Sequence, residues 1–544
     1  MLKYALHQYY DQQVQYKFMI WKMKPFLPQQ SGTRFRLKCL MLCLVLQLLI
    51  SVSGMAQVRF GHTIPLYHWA DGYNNDVFLR AAIKPFFKYT LPVPFATIDI
   101  SPPVSRNPYA LFLSNRLASL CSRSTTLPIL LLGGVAIPQF GNLPGTSKTE
   151  LSYRFLNGLK FSRHFTVMNS LLLDQGLKKN AGYVGKTWNG LTVLTDQAYG
   201  ILHYDTFHLK LGRDFIKWGR GEDATLLFSD YSRPFDHINF QIRSQKFQFT
   251  YNAVQLDDKW INSADASLIG SPKVSRYISA GRLDFSFLRG RLQASVSQAV
   301  LFGSSSGFRL TMLNPFLVYH GEILNDGLTA NSFGSIDISL WPIYNVELYA
   351  ELLVDDIQIE KKIVSDLEPD EIGFIVGTRM ADVGGVSGFT AGLEYTRVTN
   401  RTYQTSVEFE KYLHRNQPVG HFLGNDFDRW LLYGRKYLGH NLLFGLKAEY
   451  VRQGEGRISS EWDAPWLDAT LATGYSEPFP TGIVEKKKGF QFSLRWHPKA
   501  SQFAEIVLQQ AHFDNFQNRN DAKSSNTALF LRFWFDWNVM IPMH

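Results

Sequence analysis

Apolar and polar residues alternate one for one along segment after segment of this chain, almost to its end. In ALFLRFWFDW (528–537), Leu529, Leu531, Phe533, Phe535 and Trp537 fall on one face of a strand, and Phe530, Arg532, Trp534 and Asp536 on the other. In YNVELYAELLV, Val346, Leu348, Ala350, Leu352 and Val354 oppose Asn345, Glu347, Tyr349 and Glu351. In GFQFSLRWH, Phe490, Phe492, Leu494 and Trp496 oppose Gln491, Ser493, Arg495 and His497. LLFGLKAEYV (442–451) and TFHLKLG (206–212) follow the same rule. A soluble sandwich would alternate too, but one of this size needs some strands buried on both sides. Here one face stays charged or polar on strand after strand. The last strand, large and aromatic on its apolar side, suits a barrel closing in lipid, where every backbone group must find an internal partner.

The first residues read as an export signal. Arg34, Arg36 and Lys38 precede the apolar run CLMLCLVLQLLISV, and the small residues Gly54 and Ala56 suit cleavage before Gln57. That run is too short to span a membrane comfortably as a helix. The stretch ahead of Arg34 is long for a signal peptide, so translation is expected to start at Met19 or Met23. Residues 1–56 hold seven Lys/Arg and one acid, so their removal takes 56 bases to 49 and 46 acids to 45. The net charge falls from +10 to +4, and the case for nucleic acid goes with it. Cys39 and Cys43 leave with the leader; Cys121 alone remains, so no internal disulfide is expected.

The expected fold is all-β: a transmembrane antiparallel up-and-down barrel of about 18 strands, since strands of about ten residues plus turns fill residues 146–544. Residues 57–145, punctuated by Pro and Gly in SPPVSRNP, TTLPILLLGG and IPQFGNLPGT, read as a periplasmic or lumen-filling N-terminal segment. With the last strand running inward, HFDNFQNRNDAKSSN lies outside, HPKA is a periplasmic turn, and SSEWDAPWLDATLATGYSEPFPTGIVEKKK is outside again. GRKYLGH is then periplasmic and HRNQPVGHFLGND outside.

Several stretches carry groups suited to chemistry. LGRDFIKWGRG gathers Arg213, Asp214, Trp218 and Arg220 in a glycine-rich bend, either a ligand site or a barrel corner in which Arg213 and Asp214 pair. In VGHFLGNDFDRWLLYGR, Asp426 and Asp428 share a face if both are extended, beside Arg429 and Trp430. Such a pair suits sugar hydroxyls, Ca²⁺ or glycosidase chemistry, and equally a solvated rim. The outer stretch with Trp462, Asp463, Trp466, Asp468, Tyr475 and Phe479 can stack on sugar faces and accept hydroxyl hydrogens, or serve as an interfacial girdle or a packed plug. Lys486, Lys487 and Lys488 suit anionic polysaccharide or lipid phosphate, or simple solvation. GSSSG (303–307) matches the serine-hydrolase elbow in letters only, because it joins two strand-like segments. MLNPFLVYHGEILNDG and the pair Asp355–Asp356 are distinctive without suggesting chemistry.

Taken as a set and in order, GRDFIKWGRGEDATLLFSD, PFDHI, LNPFLVYHGE, LYAELLVDD and GHFLGNDFDRWLLYGRKYL resemble the capsule assembly protein Wzi family in its Bacteroidota-type branch, over roughly residues 150–544. The resemblance implies an 18-stranded outer-membrane barrel of a Gram-negative bacterium with an N-terminal helical element on the periplasmic side. It also implies a lectin-like role, holding capsular or other exported polysaccharide at the cell surface. No sugar-contacting residue comes with it. The expected partners are that polysaccharide and the lipid and lipopolysaccharide of the outer membrane, with no nucleic acid. The protein is read as a monomer without cofactor or metal, and not as an enzyme. A diffusion porin or oligosaccharide channel is the alternative, and an enzyme would have to rest on Asp426 and Asp428.

Overall fold

The structure, a computed structural model, describes Asp76, residues 78–80 and 90–91 and, apart from short gaps, residues 127–543. The expected signal peptide, its alternative start sites and Cys121 lie outside the described residues. Among the described residues, eighteen long strands form one closed antiparallel barrel. They are β1 (Ile129–Leu143), β2 (Glu150–Lys160), β3 (Phe165–Asp174), β4 (Thr192–His203), β5 (Phe207–Asp214) and β6 (Phe235–Arg243). Next come β7 (Phe247–Gln255), β8 (Lys273–Phe287), β9 (Leu292–Ser304), β10 (Ala330–Ile343), β11 (Val346–Asp356) and β12 (Glu371–Ala381). The last are β13 (Phe389–Val398), β14 (Phe427–Leu438), β15 (Leu442–Gln453), β16 (Glu485–Lys499), β17 (Gln502–Asp514) and β18 (Lys523–Pro542).

Alternation decides which face meets lipid. On β16, Phe490, Phe492, Leu494 and Trp496 are all exposed, as are Leu348 and Leu352 on β11. Their neighbours point inward: Glu347, Tyr349 and Glu351 are buried on β11, and on β18 Arg532 and Asp536 are buried while Leu529 is 54% exposed. An apolar belt that open to its surroundings needs hydrocarbon around it, and closure removes the edge that lipid would leave unpaired. Connections alternate between short turns such as 439–441 and 500–501 and long loops such as 399–426 and 454–484. The short turns mark the periplasmic end and the long loops the outer end.

The barrel starts earlier than the sequence suggests. Residues up to 145 were expected to lie apart from it, yet β1 is a wall strand paired with β2 on one side and β18 on the other. Gly133, Gly134 and Pro138 hide its period. Pro138 has no N–H to give, and the ladder to β18 skips Ile137 and Pro138 while that to β2 runs through both.

The inner wall is not uniformly polar. Ile278, Ala280, Leu301, Phe333, Leu353 and Ile375 form an apolar patch facing inward. Two outer loops, 215–234 and 399–426, fold down onto it and bury Trp218, Leu226, Phe228, Tyr403, Tyr412 and Val419 in one core. The loops also bond each other: Tyr403 Oη donates to Leu226 O (2.6 Å), Tyr412 Oη to Leu227 O (2.8 Å), and Ser229 N to Val419 O (2.9 Å). Near the periplasmic end, Tyr437 Oη donates to Asp76 (2.6 Å) and Arg80 pairs with Asp382 (3.2 Å). Thr90–Leu91 pairs with Lys217–Trp218 inside the lumen.

Candidate functional site

Loop 215–234 is the stretch that follows LGRD, and the barrel wall explains Gly219. Glu351 points inward from β11 and accepts backbone N–H groups from Arg220, Gly221 (2.5 Å) and Leu226 (3.2 Å). Gly219 has φ +135°, and a Cβ there would lie 2.5 Å from Glu351 Oε1; only glycine lets the backbone come so close. Glu394 on β13 accepts Glu222 N (2.8 Å) and the Tyr349 hydroxyl (2.7 Å). Asp223 meets Arg429 and Lys447, each at 2.5 Å, and Glu222 meets Arg379 at 3.1 Å. Burial alone would raise the Asp223 carboxyl, but the Lys447 ammonium and Arg429 guanidinium hold it well below the usual carboxylate range.

The four residues singled out in that bend therefore part company. Trp218 is buried edge-to-face against Phe228 (5.1 Å), and Arg220 is buried in the loop. Asp214 faces the lumen with Lys210 (2.6 Å) and Gln197 (2.7 Å), whereas Arg213, on the other face, pairs with Asp236 (2.6 Å). Arg213 and Asp214 do not pair with one another.

Asp426 and Asp428 also separate. Asp426 is not extended: its φ is +57°. Its carboxylate accepts Thr481 N (2.9 Å), Thr481 Oγ1 (2.5 Å) and Gly456 N (2.8 Å), tying loop 399–426 to loop 454–484. Burial pushes the Asp426 carboxyl up, and those donors pull it only part of the way back. Asp428 is extended and bonds Arg452 (2.5 Å) and the Tyr395 hydroxyl (3.2 Å). Trp430, on the same face, is 49% exposed beside Tyr395, at 4.6 Å between ring centres. That is the outward face, so the tryptophan belongs to the interfacial girdle. Arg429 faces the lumen. The two carboxylates are thus engaged by different partners, Asp426 by loop 454–484 and Asp428 by Arg452 and Tyr395. Among the described residues no group of three or more His, Cys, Asp or Glu is placed to hold a metal ion.

What does come together is the cluster on loop 454–484. Its centre is Arg401, a residue the sequence reading passed over. Arg401 lies over Trp466 (4.4 Å) and Trp462 (5.0 Å) and pairs with Glu477 (2.6 Å) and Asp463 (3.1 Å). Burial alone would lower its guanidinium, but Glu477 and Asp463 hold the proton more firmly than usual. Trp466 is buried and meets Trp462 edge-to-face (5.9 Å), with Tyr475 at 6.4 Å. The Asp463 side chain is 78% exposed, and Asp468 is exposed too. The arrangement offers half-buried aromatic rings and open carboxylates on a stiffened outer loop, the groups that stack on sugar rings and accept hydroxyl hydrogens. The lysine run divides: Lys487 pairs with inward-facing Glu449, while Lys486 and Lys488 are exposed. Asp355 accepts Tyr403 N (2.6 Å) and so helps seat loop 399–426.

Comparison with known proteins agrees with this architecture. The family described as capsule assembly protein Wzi matches residues 144–528. Among solved structures, the chain is similar to Wzi of Escherichia coli, described as an outer membrane protein involved in group 1 capsule assembly and a carbohydrate-binding β-barrel. The two are 15% identical with a TM-score of 0.56, covering 89% of this chain and 100% of that one. OccK3 (OpdO) of Pseudomonas aeruginosa is 11% identical with a TM-score of 0.41, over 76% of this chain and 96% of its own. OccAB4 of Acinetobacter baumannii is 9% identical with a TM-score of 0.42, over 77% and 99%. No curated protein matches the chain. With more than half of its length matched by the family, this chain belongs to the capsule assembly protein Wzi family.

Proposed function

We propose that this protein is an outer-membrane, lectin-like barrel that binds exported capsular polysaccharide or exopolysaccharide and retains it at the cell surface, without catalysis. The observation that carries the reading is the Arg401-braced surface of Trp462, Asp463 and Asp468 standing above a lumen occupied by two inward-folded loops. A channel needs that lumen open; a tether needs only its outer end. Weak contacts suffice, because a repeating polymer presents many copies of its unit and raises the effective concentration. The Escherichia coli relative, described as carbohydrate binding, supports the same assignment. Lipid and lipopolysaccharide pack against the outward belt, and the barrel acts as a monomer.

The test is binding of the detergent-purified barrel to the source organism's own surface polysaccharide. Wild type should bind, and the Trp462→Ala/Asp463→Asn variant should lose at least about tenfold, roughly 1.4 kcal/mol, while staying folded. Asp428→Asn, on the outward rim, should leave binding unchanged. No binding by the wild type would sink the tether.

A further inference from the structure

The loop between β9 and β10 behaves unlike loops 215–234 and 399–426. It turns down over the outside of the barrel. Phe249, Tyr251 and Ala253 of β7 alternate with the lumen-facing Gln248, Thr250 and Asn252, so they belong to the outward face; yet they are buried. On β9, outward-facing Val300 and Phe302 are buried with Met312 and Tyr319 of the loop. Phe316 stacks on Phe249 at 5.2 Å between ring centres.

Register ties this contact to the belt. Phe249 pairs with Leu283, Leu283 with Val296, and Val296 with Ile336. Val296 and Ile336 are exposed residues of the apolar belt, 52% and 45% open. The loop thus reaches the row of the wall that faces hydrocarbon. There it replaces the apolar surface it covers with its own: Leu310 is 80% exposed, Phe316 74% and Val318 69%.

Irregular backbone in hydrocarbon is costly unless its polar groups find partners. Here the wall supplies them from its outward face. Tyr251 Oη (2.8 Å) and Ser279 Oγ (2.5 Å) both donate to Met312 O, and Gln298 Nε2 donates to Leu317 O (2.6 Å). Gln298 Oε1 accepts Tyr319 N (3.4 Å), and Asn314 Oδ1 accepts Phe316 N (3.1 Å). A serine and a glutamine on the lipid side of a barrel have no other evident purpose.

We propose that this loop is a membrane-embedded flap whose Leu310, Phe316 and Val318 face the acyl chains of the outer membrane, forming a lipid-contact surface over β7–β9. The occupant is lipid rather than a second protein because the patch is continuous with the exposed belt at Val296 and Ile336.

Spin labels placed by Phe316→Cys and, separately, Leu310→Cys in a Cys121→Ala background test this. The protein is reconstituted in vesicles of phosphatidylethanolamine and phosphatidylglycerol, with Ile338→Cys as belt control and Leu471→Cys as aqueous control. Heat-modifiable migration confirms folding of each variant. The expected result is high accessibility to oxygen and low accessibility to a water-soluble nickel chelate at both flap positions, with a ratio matching Ile338 and several-fold above Leu471. Nickel accessibility like that of Leu471 would overturn the flap. So would low accessibility to both reagents, which would mean that a protein surface covers it.

Discussion

At the scale of single residues, the sequence displayed chemical types but not the company they keep. The glycine-rich bend was visible, and the structure supplies a reason for each glycine: a Cβ on Gly219 would strike the Glu351 carboxylate, and one on Gly221 the Ala224 carbonyl. The shared face of Asp426 and Asp428 depended on both being extended, and Asp426 instead adopts φ +57° and reaches Thr481 and Gly456. Nothing local signals that choice. Arg401 was invisible because its partners lie some sixty to seventy-five positions downstream. The Gly219→Ala substitution gives a direct check of the close approach. It adds a Cβ 2.5 Å from a carboxylate pinned by three backbone donors, at a φ that L-residues avoid. A local cost of about 1–3 kcal/mol is expected. Amide hydrogen exchange should then quicken roughly ten- to a hundredfold within 215–234 and stay unchanged in β14–β18. Unchanged exchange in the loop would refute the packing account.

Among elements, strands were far more legible than loops. The lipid belt selects the outward face, so the period shows plainly in β11, β16 and β18; it fails where glycine and proline interrupt it, as in β1, and where inward-folded loops pack on an apolar inner face, as in β8–β10. Loops folded into the lumen carry no such period, because the wall they pack on is assembled from strands distant in sequence. The 357–370 loop gives a pH test at this scale. Burial raises the Glu368 carboxyl to about 7, the nearby Asp356 charge adds to the rise, and Arg401 opposes it. A carboxyl whose folded value exceeds its unfolded value of 4.5 loses folding stability as pH climbs from about 4.5 to about 7, and nothing further above that. Protease cleavage within 361–370 should therefore accelerate across that window in the wild type. In Glu368→Gln the slope should shrink; a slope equal to the wild type's would assign the effect elsewhere.

For the whole molecule, barrel closure and strand number were readable, since each follows from meeting lipid. The filled lumen was not, because alternation tells which residues face inward but not what meets them there. Planar-bilayer recording separates these states. Wild type should pass almost no current, whereas Glu351→Ala/Arg429→Ala, which removes the backbone acceptor and the Asp223 partner of loop 215–234, should open frequent large conductance steps. A wild type conducting as freely as the variant would return the protein to the channel reading.

The pairing of Thr90–Leu91 with Lys217–Trp218 also bears on the closure of the molecule. At residue 91 the backbone is inside the cylinder; at Ile129 it has become part of the wall, side by side with the final strand. Because β1 pairs with β18, the cylinder closes only when both ends of the barrel are present, and a chain cut short before β18 has an occupant but no vessel to keep it in.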